Sequence, residues 1–364
     1  MLWVVAQLLV ERQKKVVFYY SKKNNHLTKR MPSSTAADQV GPSQATIAMT
    51  LLVYCLSGTL LTLVNKLAIK AYPFPNTLLV VQNGLTVVLL LIGSYVHAKV
   101  FGAMPALTVS VVQSWLPLVF LFVVMLLSSL QALMFVSATT LIVMRNLSTL
   151  SVACFERLVL KEEIKPITWF ALVMIFVGAV LFGLRDLTFS VPGYMWLFLN
   201  VAGTSSYQIY VKKLIAQSKE LGPFGMSYIN NSLSLPLFIG MSAYNNELIH
   251  ADEMFTRGMY ATSVVLLSAF LGFTLSTSAF MINKMISATS MMVANNVNKF
   301  AVIILSEVFV ERTLDNVSTL GTIIVMFFGW FYSKTKSSGW TFTSLFPTSS
   351  SLPSTQNNKL VASL

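Results

Sequence analysis

Apolar residues dominate this chain in runs of about twenty, separated by short polar punctuation, and that rhythm predicts its elements. A helix crossing the hydrocarbon of a bilayer needs roughly 20 mostly apolar residues at 1.5 Å rise each. That rule predicts ten spans, near 47–69, 77–97, 115–135, 138–160, 166–184, 192–212, 223–243, 258–281, 286–308 and 316–333. Between them fall Pro73 and Pro75, Pro105, the segment 161–166, Arg185-Asp186, 212–223 and 245–252. The expected fold class is therefore an all-α membrane protein, with a ten-helix transporter domain over 47–336. A basic tail (1–46) precedes it, and a Ser-, Thr-, Pro- and Asn-rich segment (337–364) of disordered-tail composition follows.

Polar pairs interrupt the apolar runs at informative places. The second span carries Gln82-Asn83 and the seventh Asn230-Asn231; the fourth carries Arg145-Asn146 and the ninth Asn298-Lys299. The fourth then ends on Glu156 and Lys161-Glu162-Glu163, and the ninth on Glu307 and Glu311-Arg312. Each pair lies five spans from its counterpart. This is the pattern of two five-helix repeats, about 47–184 and 192–333. An odd number of crossings changes sides, so the repeats must be inverted, an architecture that puts a carrier's site at the repeat interface.

Arg145 and Lys299 fall near mid-span, where a cation costs roughly 2.5–3.5 kcal/mol on insertion scales. Two readings compete: structural ion bridges to Glu156 or Glu307, or a wet cavity that receives an anion. Helical spacing favours the cavity. Arg145, Ser148, Thr149 and Glu156 share one face, Ser227, Asn230, Asn231 and Ser234 form a stripe, and Asn295, Asn298 and Lys299 form another. Carboxamides both donate and accept, which suits a base edge or sugar hydroxyls, and the cations suit phosphate. Lys66, beside Asn65 in the first span, is left open between snorkelling to an interface and touching a ligand. Gly84, Gly178, Gly203 and Gly272 are expected at close helix contacts.

Composition narrows the picture. The 364 residues are 55% hydrophobic and 10% charged, with mean hydropathy +0.70, whereas soluble domains carry about 25% charged residues. Cys55 and Cys154 lie inside apolar runs, so neither a disulfide framework nor a cysteine metal site is expected. His26, His97 and His250 lie far apart, so no metal and no cofactor is expected either. Much of the net charge of +12 sits between Glu11 and Arg30, read as a cytosolic tail rather than a nucleic-acid contact. Residues 1–10 are apolar but precede the basic block, the reverse of a signal peptide. With the N-terminus cytosolic, Lys99, Lys161, Lys165, Lys212, Lys213, Lys219 and Lys284 fall in cytosolic loops. Lys70, Arg185, Arg257 and Arg312 fall opposite, and both tails share one side.

The residues resemble a known family. The segments 60–67 (LLTLVNKL), 143–150 (VMRNLSTL), 193–200 (GYMWLFLN), 228–235 (YINNSLSL) and 295–299 (NNVNK) are similar to the nucleotide-sugar transporters of the drug/metabolite transporter superfamily, and among them to the GDP-mannose transporter group. The resemblance implies that Tyr228, Asn230 and Asn231, matching an F-Y-N-N motif with Ile229 in place of its Tyr, contact the nucleotide. It implies that Asn298 and Lys299, matching the end of a G-A-L-N-K motif, contact sugar and phosphate. Asn295 and Asn296 stand where that motif has Gly-Ala, filling the volume and adding hydrogen-bond groups. With Arg145 these residues are the expected substrate site. The implied function is exchange of a cytosolic nucleotide sugar, GDP-mannose leading, for lumenal nucleoside monophosphate by alternating access in the Golgi membrane. The endoplasmic reticulum and plastid are alternative locations, and a homodimer is one option for assembly. A carrier of another GDP- or UDP-sugar and a plastid sugar-phosphate translocator are the near alternatives. A membrane enzyme would need catalytic groups that Asp186, Asp252 and Asp315, standing alone, do not supply.

Overall fold

The computed structural model describes residues 44–159, 165–187, 189–218, 220–285 and 288–338. Residues 1–43 and 339–364 of the two tails, the run Lys161-Glu162-Glu163, Lys219 and the side chain of Glu156 lie outside the described residues. The described residues form helices and connecting turns without a strand. The helices of eight residues or more are α1 (Gln44–Ala71), α2 (Pro75–Val96), α3 (Val109–Phe135), α4 (Ala138–Arg145), α5 (Leu147–Val159), α6 (Pro166–Gly183), α7 (Val191–Gln217), α8 (Pro223–Tyr244), α9 (Met259–Met285), α10 (Ala288–Leu305) and α11 (Asn316–Ser338).

Their starts follow local chemistry. Pro75, Pro166 and Pro223 occupy first-turn positions, where a missing N–H costs nothing. Ser137 caps α4 by accepting from Thr140 N at 3.0 Å, and Asp315 caps α11 by accepting from Ser318 N at 2.8 Å. Those bonds from Ser318 hold the Asp315 carboxyl below its ordinary value.

Six helices, α1, α2, α3, α6, α9 and α11, are long and apolar enough to cross a membrane. The others, α4, α5, α7, α8 and α10, carry most of the interrupting amides and both mid-span cations. Polar residues dilute the apolar signal where the sequence places its candidate site.

Two departures from the predicted spans matter. The fourth is broken: α4 ends at Arg145 and α5 starts at Leu147. At the junction Asn146 keeps helical dihedrals (φ −66°, ψ −24°), its N–H bonds Val143 O at 3.1 Å, and its Nδ2 donates to Ile142 O at 3.0 Å. The ninth ends in a π-helical turn, Ser306–Val310. There Glu307 accepts from Thr139 Oγ1 (2.8 Å), Thr313 N (2.9 Å) and Thr313 Oγ1 (2.7 Å).

The tightest helix pairs are α6 with α11, α3 with α7, α1 with α9, and α2 with α8. In the first, a Cβ on Gly321 would lie 2.6 Å from Phe182 N and 2.7 Å from Gly178 O, so glycine permits backbone contact. Gly178 and Gly203 serve such close approaches as expected, while Gly84 and Gly272 have ordinary clearance.

The end of the bundle holding Pro73, His250 and Glu311 is heavily cross-linked. Glu247 accepts from Asn76 N (2.7 Å) and Thr77 N (3.0 Å), so a carboxylate covers the positive start of α2. Lys66, 6% exposed, donates to Leu133 O (2.9 Å) and Val136 O (2.7 Å) and pairs with Glu311 at 3.5 Å. It therefore closes the carbonyl end of α3. Lys70 meets the same carboxylate at 3.0 Å. Nearby, His250 stacks on Phe74 and bonds Glu253, which also pairs with Arg257. Arg257 first, and His250 second, hold the half-buried Glu253 carboxyl below its ordinary value.

Candidate functional site

Neighbouring residues at the junction of α4 and α5 meet different partners. Arg145 reaches α7 and α3: Nε donates to Asn200 Oδ1 at 2.9 Å and Nη2 to Ser129 Oγ at 2.7 Å. Asn200 is itself fixed, its Nδ2 donating to Met125 O (2.8 Å) and Ser128 Oγ (3.2 Å). Asn146 faces α10 and accepts from Lys299 Nζ at 3.0 Å. The two cations lie within electrostatic reach of each other, and Arg145 lies within reach of the Tyr54 phenol.

Both cations are held by neutral groups. Among the described residues neither comes within 4.0 Å of a carboxylate, and Glu307, one of the two expected partners, is committed to Thr139 and Thr313. A mid-bundle charge held only by amides and hydroxyls retains a need for a counter-ion.

The α10 residues divide. Asn295 accepts from the Tyr54 hydroxyl at 2.7 Å, and Asn298 accepts from Thr59 Oγ1 at 2.5 Å. Here α1 and α10 approach closely, since a Cβ on Gly58 would lie 2.6 Å from Asn298 Nδ2. Asn296 turns the other way, donating to Gly329 O (2.9 Å) and Ser333 Oγ (2.8 Å) on α11. Arg145, Lys299, Asn295 and Asn298 thus come together, while Asn296 joins a helix-packing contact.

A second polar group lies between α8 and α9. Asn231 Nδ2 donates to Ser227 O (2.8 Å) and Ser276 Oγ (2.9 Å), and the two serine hydroxyls meet at 2.9 Å. Asn230 is fully buried, and neither atom of its carboxamide has a hydrogen-bond partner among the described residues. A buried amide left so costs about 1–3 kcal/mol unless something else bonds it. Tyr228 is half-buried two positions earlier. Tyr54, Arg145, Tyr228, Ser276, Asn295, Asn298 and Lys299 share that intermediate exposure, unlike the lipid-type faces of Leu52 and Phe120 or the sealed core at Leu118 and Leu141.

Asn200, Ser129, Tyr54 and Ser276 were not selected from the sequence. Asn200 carried a usable signal, as a lone amide in an apolar run; the hydroxyls carried none.

The chain is 28% identical over 259 residues to the GDP-mannose transporter GONST1 of Arabidopsis thaliana, covering 68% of this chain and 76% of that one. It is 27% identical over 295 residues to GDP-fucose transporter 1 of Arabidopsis thaliana (78% and 83%). It is 28% identical over 241 residues to the UDP-sugar transporter UST74c of Drosophila melanogaster (65% and 63%). A crystal structure resembles it in fold, with TM-score 0.52 and 13% identity over 81% of this chain and 100% of that one. These named relatives are transporters, not enzymes, and residues 45–333 match one family along almost the whole helical region. The chain belongs to the Triose-phosphate Transporter family.

Proposed function

We propose that this protein is a nucleotide-sugar antiporter, with GDP-mannose the leading substrate, exchanging cytosolic nucleotide sugar for lumenal nucleoside monophosphate across the Golgi membrane. The observation that carries this is the pair Arg145 and Lys299, held by neutral side chains and waiting for an anion. The phosphates neutralise that pair. The base meets the amides and hydroxyls of Asn230, Asn231, Ser227 and Ser276, and supplies the partners Asn230 lacks. The names of the relatives, which include GDP-mannose, GDP-fucose and UDP-sugar transporters, support the ligand class.

Ten spans in two inverted repeats form the moving parts, with α4 and α5 as one broken span and both termini cytosolic. The packing supports this. Advancing each span by five, cyclically, converts the pair α3–α7 into α9–α1 and returns α2–α8 and α6–α11 to themselves. Rocking of one repeat against the other then exposes the site alternately. The empty carrier switches reluctantly, because Arg145 and Lys299 must pass through the occluded state uncompensated.

The family's description favours a second reading, a carrier of small sugar phosphates. Two cations would serve it equally well, but it leaves the amide-lined face of α8 without a task. Purified protein in liposomes loaded with GMP or UMP, or left empty, should be offered a panel of GDP-sugars, UDP-sugars and triose phosphate. Uptake of a nucleotide sugar that depends on internal nucleotide is the expected result. Uptake of triose phosphate alone would reject the proposal, and equal uptake into empty liposomes would reject antiport.

A further inference from the structure

Thr204, on α7, carries a hydroxyl that nothing among the described residues uses. The residue is 9% exposed, and its Oγ1 has no hydrogen-bond partner among them. A hydroxyl inside a helix can bond the carbonyl four residues back, and Thr50, Thr62, Thr86 and Thr274 all do so here. The neighbouring Ser205 does the same, donating to Val201 O at 2.7 Å. Thr204 does not, although Asn200 O stands in that position. A buried polar group without a partner calls for an explanation, and an arriving ligand supplies one.

Helix geometry fixes where Thr204 points. Successive residues turn by about 100°, so Thr204 stands about 180° round α7 from Met195, which is 69% exposed. Gly203, to one side, packs on α3, where a Cβ would lie 3.1 Å from Val124 Cγ1 and 3.3 Å from Met125 N. Ser205, to the other side, donates to Ser148 O of α5 at 3.4 Å. Thr204 therefore faces the space between α3 and α5. Arg145 enters the same space, since it ends α4 beside the start of α5 and reaches Ser129 on α3 and Asn200 on α7. Along α7, Thr204 lies one turn from Asn200 and about 40° round from it. One turn further, Tyr207 packs on Phe122 and lies within electrostatic reach of Tyr54, as Arg145 does. The unpartnered hydroxyl is thus flanked on its own helix by two residues that turn toward Arg145 and Tyr54.

A hydroxyl placed one turn from the anchor of a guanidinium suits the oxygen of an anion. The four residues from Asn200 to Thr204 rise about 6 Å, within reach of one phosphate group hydrogen-bonded at both ends. Hydrogen bonds to an ionised oxygen are shorter and stronger than those to a neutral one, and a threonine adds such a donor without adding a third charge. We propose that Thr204 is a phosphate ligand, its hydroxyl donating to a phosphoryl oxygen of the substrate while Arg145 holds the same group. The assignment rests on the reading of Arg145 and Lys299 as an anion site. The phosphate next to the nucleoside is common to a nucleotide sugar and its monophosphate, so Thr204 serves both halves of the exchange.

The test is the affinity of purified protein for GDP-mannose, GMP and triose phosphate, with the melting temperature of the unliganded protein, in wild type, Thr204→Val and Thr204→Ser. Thr204→Val keeps the shape and deletes the hydroxyl. Roughly a tenfold loss of affinity for both GDP-mannose and GMP is expected, the scale of one hydrogen bond to a charged group. Thr204→Ser should stay within about twofold of wild type, and unliganded Thr204→Val should melt no lower, since no partner within the protein is lost. Four results overturn the assignment and leave the nucleotide-sugar reading standing: unchanged affinity in Thr204→Val, equal losses in both variants, loss for GDP-mannose alone, or a lower melting temperature of unliganded Thr204→Val. Wild-type protein that binds triose phosphate alone overturns that reading instead, and a tenfold loss of this binding in Thr204→Val then upholds Thr204 as a phosphate ligand. Wild-type protein that binds none of the three overturns both.

Discussion

Lys66 and Lys299 are both lysines inside helical segments of one bundle, yet they are satisfied in opposite ways. Lys66 sits near an end, where two carbonyls and the carboxylate of Glu311 surround it and leave nothing for a ligand. Lys299 sits at mid-bundle with the amide oxygen of Asn146, and Arg145 beside it has an amide and a hydroxyl. Two cations that repel each other, with no carboxylate in reach among the described residues, are costly to keep unless function uses them. The first region is closed by its own groups, and the second is the one that the proposed function completes with an anion.

That contrast can be broken by substitution. The largest effect is expected from Lys299→Ala, with nucleotide exchange in liposomes falling by about 100-fold or more while the protein still purifies as a folded monodisperse species. Losing one cation removes attraction for phosphate and also relieves Arg145, so stability should hold or rise. Asn200→Asp sharpens the point by giving Arg145 the carboxylate it lacks. Exchange should then fall about tenfold, beyond the loss in Asn200→Ala, because an internal anion competes with the substrate. Equal losses in the two variants would mean that Asn200 acts only through packing.

Glu311→Gln should show the opposite profile. Exchange is expected to change by no more than about threefold, while thermal stability falls by about 1–3 kcal/mol as the buried Lys66 loses its charge partner. The smallest effect concerns Glu253, whose carboxyl is held below its ordinary value of 4.5 by Arg257 and His250. A depressed carboxyl contributes stability above its unfolded pKa and loses it as pH falls through the folded one. Wild-type protein and Glu253→Gln should therefore differ slightly in melting temperature at pH 7 and converge below about pH 4, a range set by the ordinary carboxyl value.

Much of this was legible in the sequence because lipid enforces it. Apolar runs marked the helices, and amides and cations inside those runs marked the candidate site. The break at Asn146 was not legible, since Asn83 and Asn231 bond their own helices in the same way without interrupting them. Nor were Ser129 and Tyr54, which are ordinary residues until tertiary packing brings them to Arg145 and Asn295. Asn295 and Asn296 are instructive in another way. Adjacent residues on a helix point about 100° apart, a difference that a motif match taking both residues together does not register. The structure sends Asn296 to α11 and leaves Asn295 with Tyr54.

The most direct measurement is uptake of labelled GDP-mannose into GMP-loaded liposomes by wild type and by Lys299→Ala, with binding of GMP measured on the same preparations. Uptake and binding by wild type, and loss of both in the variant without loss of fold, is the predicted result. Equal uptake by the two proteins would contradict a central anion site built on Arg145 and Lys299.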